Sequence, residues 1–90
     1  MELEFDEEKR RLTLINRGLD FDHANHLFEG CHFTSEDNRF DYGETRYISI
    51  GMIGADVVVV VWTERQKRRR IISMRKANSD ERGEYHDALE

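Results

Sequence analysis

Arg46, Arg65, Arg70 and Arg75 are the side chains best suited to chemistry in this 90-residue sequence. A guanidinium presents a fixed fork of N–H donors and keeps its charge at physiological pH. Several aimed at one spot bind a phosphate and stabilise extra negative charge on it. Arg65, Arg70 and Arg75 flank or lie within apolar runs, where a charge must find a carboxylate or a ligand. Two carboxylates stand near them: Glu44, two residues before Arg46, and Glu64, directly before Arg65. Each fits either a general base or an ion-pair partner that holds an arginine in place. Glu44 and Arg46 share a face if both lie in one strand. Strand parity groups Arg65 with Thr63 and sets Arg75 on the face away from Ile72 and Met74.

These arginines sit in a wider concentration of charge. The stretch from Arg65 to Lys76 holds seven basic residues and no acidic one, although the whole chain carries a formal net charge of -5. Lys67, Arg68, Arg69 and Lys76 complete it, and together they form an electrostatic footprint for a phosphate chain. A solvated hairpin that protects a sheet edge would show the same composition. The rest of the chain is correspondingly acidic, so the molecule is polarised, with one end for a polyanion and a remainder for a basic partner.

Other reactive types offer less. His23 and His26 are three apart, a possible metal pair with no third ligand in view, and no metal or cofactor is expected. Cys31 and His32 are neighbours that would point to opposite faces of a strand. The single cysteine excludes an internal disulfide and fits a reducing compartment. Trp62, Tyr47 and Phe40 can stack on bases, with core packing the ordinary role of Trp62. The charged start "MELEFDEEKRR" has no signal-peptide core, and the apolar run Val57 to Trp62 is far too short to span a membrane. The expectation is a cytoplasmic protein that does not enter a membrane.

The elements that must position these groups follow from pattern. Ninety residues make one domain, 1–90, with a modest core. "ELEF" reads as an edge strand. Asp6 caps a helix that ends at Gly18, with Leu12 and Ile15 at helical spacing and Leu14 nearby. Asp20 or Asp22 caps a second helix, stopped by Gly30, with Ala24, Leu27 and Phe28 as its apolar stripe. Cys31 to Thr34, "TRYISIG", "VVVVVW" and "IISMRKA" read as strands, the five valines being β-branched. "MIGAD" and "ERQKRRR" read as hairpin connections. The last segment reads as a helix capped by Asn78 or Ser79, with Glu81 completing a capping box on Asn78. The result is an α+β fold: an antiparallel sheet with two N-terminal helices and one C-terminal helix.

Three segments resemble the BrnT toxins, a family of RelE-like fold from type II toxin–antitoxin systems. "FDEEKRRLTLINRGLDFDHA" resembles their N-terminal pattern through Phe5, Asp6, Lys9, Gly18, Leu19 and Phe21. "GETRYISIG" resembles their Gly-Glu-x-Arg strand, and "VVVVVWTERQKRRRIISMRKA" their Val-rich strand, Thr-Glu-Arg and Arg-Ile-Ile-Ser-x-Arg-Lys-Ala ending. The chain departs from that pattern at Phe5, where Trp is usual, at Thr13, where Asn is common, and at Arg17, where His is common. A catalytic use of that His is therefore absent here, and the connection from His32 to Tyr42 also differs.

The resemblance implies an endoribonuclease that inhibits translation and growth. It implies a cognate BrnA-like antitoxin in a hetero-oligomer, with operator DNA reached only through that antitoxin. RNA cleavage without a metal fits the residues. The ribose 2′-OH attacks the adjacent phosphorus, Arg65, Arg70 and Arg75 hold the phosphate with Arg46 behind them, Glu44 or Glu64 takes the proton, and Lys67, Arg68, Arg69 and Lys76 bind RNA. The other readings are a nucleic-acid-binding module without catalysis and an inactive relative that only docks an antitoxin. The arginine pocket is the decisive expectation: Arg65, Arg70 and Arg75 must converge, and must not each be locked to a separate carboxylate.

Overall fold

Asp6 starts the first helix as its side chain predicts. In the computed structural model, which describes residues 1–89, its carboxylate accepts the N–H groups of Glu8 and Lys9. Helix α1 spans Glu7–Arg17 after a short strand β1, Leu3–Glu4, and Gly18 closes it at φ 68°, a left-handed conformation that costs glycine nothing. Asp20 caps a 3-10 turn, Phe21–His23, that leads into α2, Ala24–Glu29. Four strands follow: β2 Phe33–Glu36, β3 Tyr47–Ile53, β4 Asp56–Arg65 and β5 Arg68–Lys76. Helix α3, Ser79–Ala88, opens with the expected capping box between Asn78 and Glu81. No helix among the described residues is long and apolar enough to cross a membrane.

The five strands form one sheet in the order β1-β5-β4-β3-β2. Strands β2 to β5 pair antiparallel as expected. Strand β1 departs from that plan by pairing parallel to β5, with Leu3 opposite Arg69 and Glu4 opposite Arg70. The basic segment is also less of a loop than its composition suggests. Only Gln66 and Lys67 turn, at φ 51° and 63°, and a two-residue turn with both φ positive matches the twist of the flanking strands. Arg65 and Arg68 to Arg70 therefore lie in strands. A register irregularity follows: Val61 pairs with Ser73 while Trp62 pairs with Ile71, so Ile72 is the extra residue on β5.

Apolar residues form two clusters rather than the single core expected, one on each face of the sheet. On one face Phe21, Ala24 and Leu27 pack on Val58, Val60, Trp62, Ile71 and Met74. On the other, Tyr85 of α3 packs with Val57, Val59 and Ala77. Leu12, Leu14 and Ile15 correct the reading of α1: all three are exposed, and α1 buries no residue. Arg17 holds the helix down instead, donating from Nη1 to the Met74 carbonyl at 2.8 Å. The α3 cluster gathers around the start of β4 and the end of β5. The opposite end of that face, next to the Gln66–Lys67 turn, carries Thr63, Arg65 and Arg70.

Candidate active site

Cross-strand pairing sets the first part of the site. Thr63 stands opposite Arg70, and Arg65 lies two residues on from Thr63, so all three share the α3 side of the sheet. Thr63 is fully buried, and its Oγ1 donates to the Thr45 carbonyl at 2.6 Å. That bond ties the segment before β3 to the end of β4. Glu44 and Arg46 belong to this segment; β3 begins only at Tyr47, so the expected strand containing both is not formed.

Glu44 reaches Arg65 through two bonds, Nε to Oε1 at 3.1 Å and Nη2 to Oε2 at 2.9 Å. This hydrogen-bonded pairing pulls the Glu44 pKa below the usual carboxylate value, and the charges of Arg65, Arg46 and Arg70 add to it. The same bonds raise Arg65 further above its already high value, with the Glu4 charge contributing. Glu44 is thus bonded to Arg65 and feels the charges of Arg46 and Arg70. Arg70 donates from Nη1 to Glu4 Oε1 at 3.1 Å, across the parallel β1–β5 pair. Arg46 lies over the Tyr42 ring, 3.9 Å from its centroid, and its buried Nε has no hydrogen-bond partner among the described residues.

The expected pocket of Arg65, Arg70 and Arg75 is not formed: Arg65 and Arg70 share one face of the sheet near its turn, Arg75 stands apart from them, and all three are held by carboxylates. Arg75 is five positions from Arg70, about 16 Å along an extended strand. It donates to both Glu81 oxygens, at 2.7 and 2.8 Å, beside the start of α3. Its pKa is raised chiefly by those bonds, and burial and then the charge of Arg39 act against them. Arg65, Arg70 and Arg75 thus each have their own carboxylate: Glu44, Glu4 and Glu81.

The other sequence candidates lie elsewhere. Glu64 is exposed and pairs in register with Arg69, on the α2 side of the sheet. Arg69 is drawn over Phe28 and Trp62, at 3.5 and 4.5 Å from their centroids, and burial lowers its pKa. Arg68 pairs with Glu2 at 3.5 Å and Lys76 with Asp56 at 3.7 Å. Lys67 occupies the turn. Trp62 takes its core role, its Nε1 donating to the buried Ser49 Oγ at 2.8 Å. His23 and His26 stack with centroids 5.4 Å apart. No group of three His, Cys, Asp or Glu side chains among the described residues is placed to hold a metal.

Sequence reasoning missed two supports. One is Tyr42, which seats Arg46. The other is Asp37, 5% exposed, whose carboxylate accepts from Arg39 Nε and Nη2 at 2.8 Å each and from the Tyr42 hydroxyl at 3.1 Å. The two-residue spacing of Asp37 and Arg39 was the available signal for a local turn. The reach of Asp37 to Tyr42 had none.

Chemically, the cluster can bind a phosphate diester. Arg70 spends one N–H on Glu4, and Arg65 turns one edge to Glu44, so donors remain on both, as they do on Arg46. Glu44 is an ionised acceptor among them. No curated protein matches the chain. A family model does: residues 5–81 match the model described as ribonuclease toxin, BrnT, of type II toxin-antitoxin system, and the chain belongs to that family.

Proposed function

We propose that this chain is a single-domain, metal-independent endoribonuclease of RelE-like fold whose site is the cluster of Arg46, Arg65 and Arg70 around Glu44. The ribose 2′-OH of RNA attacks the adjacent phosphorus. Its proton passes to Glu44, the bond to the 5′-oxygen breaks, and that oxygen takes a proton from water. The products carry a 2′,3′-cyclic phosphate and a 5′-hydroxyl. Arg46, Arg65 and Arg70 stabilise the charge that grows on the phosphorane oxygens, and Glu4 and Glu44 hold two of them in position beforehand. Glu44 is the carboxylate of choice because Glu64 lies on the other side of the sheet. Its lowered pKa makes it a weak base, so acid–base help falls toward the low end of the usual ~10²–10⁴-fold, and electrostatic stabilisation dominates.

The observation that carries this reading is the buried Arg46 Nε, which has no hydrogen-bond partner among the described residues, together with the Glu44–Arg65 pair. In the cell, cleavage would inhibit translation and growth in the cytoplasm. A BrnA-like antitoxin would neutralise the toxin, and the hetero-oligomer would reach operator DNA through the antitoxin alone. The test is incubation of the purified protein with RNA in EDTA, followed by end-group analysis. Fragments ending in 2′,3′-cyclic phosphate are expected, and intact RNA rejects the proposal.

One observation favours a second reading, a docking or binding module without catalysis. Five of the seven basic side chains from Arg65 to Lys76 already face carboxylates: Arg65, Arg68, Arg70, Arg75 and Lys76. RNA that is bound and uncut, or an antitoxin complex formed by a protein that binds no RNA, selects that reading.

A further inference from the structure

The connection between β2 and β3 buries little and yet is firmly built. Asp37 anchors it with the bonds to Arg39 and Tyr42, and its own N–H donates to the Arg46 carbonyl at 2.8 Å. Gly43 closes it at φ 72°, with its N–H on Asp41 Oδ1 at 3.0 Å. Above this frame stands Phe40, 70% exposed, its ring edge-on to Tyr42 with centroids 5.9 Å apart. An exposed ring on a fixed loop gives the fold little burial energy.

We propose that Phe40 is a stacking platform for an unpaired RNA base, held beside the Tyr42–Arg46 pair so that the attached backbone runs onto Arg46, Arg65 and Arg70. The inference rests on the ribonuclease reading and extends it by assigning the group that grips the base. The surroundings favour a nucleotide over an apolar protein segment. Asn38, Arg39, Asp41 and Gly43 flank Phe40, so Tyr42 is its only aromatic neighbour in the loop. An exposed π-face next to the Tyr42 ring that carries Arg46 matches a flat base joined to a phosphate, whereas a docking helix or strand needs a contiguous apolar surface.

The experiment measures binding of a fluorescently labelled single-stranded RNA blocked with 2′-O-methyl groups, so that nothing is cut. Wild type, Phe40→Ala and Phe40→Trp are compared, and a matching oligonucleotide with one abasic position is tested on each. Phe40→Ala should bind roughly 5- to 150-fold more weakly, the range for loss of one stacked base. Phe40→Trp should hold wild-type affinity. At one abasic position the wild-type protein should lose the same factor, and Phe40→Ala should lose nothing more. Equal affinity of Phe40→Ala and wild type overturns the proposal, whether or not the variant binds an antitoxin less well. Thermal midpoints check folding, which an exposed side chain should leave unchanged. Wild-type cleavage of unblocked RNA is scored separately, so failure of the platform and failure of the ribonuclease reading give different results.

Discussion

The Arg46 guanidinium rests 3.9 Å above the Tyr42 ring, while Arg65 and Arg70 in the same cluster each face a carboxylate. Stacking fixes the plane of the group without consuming its donors, and a buried Nε without a partner among the described residues is an unmet hydrogen bond that a phosphate oxygen can complete.

Arg46→Ala should therefore lower RNA cleavage by about 10²–10³-fold, the loss typical for one transition-state donor. Arg46→Lys should recover little of it, because an ammonium cannot stack as a plane or donate in a fork. Single-turnover cleavage and a thermal midpoint measured on the same samples decide the matter. A loss of cleavage that merely tracks a loss of folding would count against a direct role.

Glu44 gives a pH prediction. Its pKa is lowered first by the hydrogen bonds from Arg65 and then by the cationic neighbours, so it stays ionised through the neutral range. The acid limb of the pH–rate profile should lie below the ordinary carboxylate value of about 4.3. Glu44→Gln should remove that limb together with most of the rate. An acid limb centred between pH 6 and 7 would assign the base to another group.

Arg75 predicts a stability effect before a catalytic one. Glu81 is held at a pKa of about 2, chiefly by Arg75 and then by the Asn78 backbone N–H. A depressed carboxylate pKa contributes stability above the unfolded value, and that contribution is lost as pH falls from about 4.3 through 2. Arg75→Ala should cost about 0.2–1 kcal/mol at neutral pH, as for a partly exposed ion pair, and should shrink the acid-dependent part of the unfolding curve. Its effect on cleavage should be smaller than that of Arg46→Ala. Urea unfolding at pH 7 and pH 3, alongside cleavage, measures both.

Gly51 is a packing test. A Cβ added there would stand 2.8 Å from Leu27 Cγ and 3.1 Å from His32 Cβ, and Leu27 is fully buried. Gly51→Ala should destabilise by about 1–3 kcal/mol through overpacking. It should spare the cleavage rate of whatever fraction folds, because the contact lies on the α2 side of the sheet.

The order of elements was legible because their boundaries carry their own chemistry. Asp6, Gly18, Asp20, Asn78 and Glu81 act locally, and each is a cap or part of one in the fold. The valine run was legible as a buried strand for a similar reason, since branching at Cβ acts residue by residue. Leu12 and Ile15 misled because helical spacing states which residues share a face, not whether anything covers it. Arg65 and Arg70 were legible as strand-borne charges in need of a partner, from their setting beside apolar runs, and each has a carboxylate partner in the fold. Tyr42 beneath Arg46 was not found, nor was Glu4 beside Arg70, because one depends on how a loop closes and the other on a parallel pairing between residues 66 positions apart.

Ile72 has a consequence for heredity. Strict alternation along β5 would send Arg70 and Met74 to the same side, yet one meets Glu4 opposite buried Thr63 and the other is enclosed with Phe21 and Leu27. The supernumerary residue between them works as a phase shifter, letting one ribbon obey two opposite parities. Loss of that single codon would leave the reading frame and every guanidinium intact. It would nonetheless turn half of the ribbon over, so that either Arg70 is driven inward or Met74 is turned out to water.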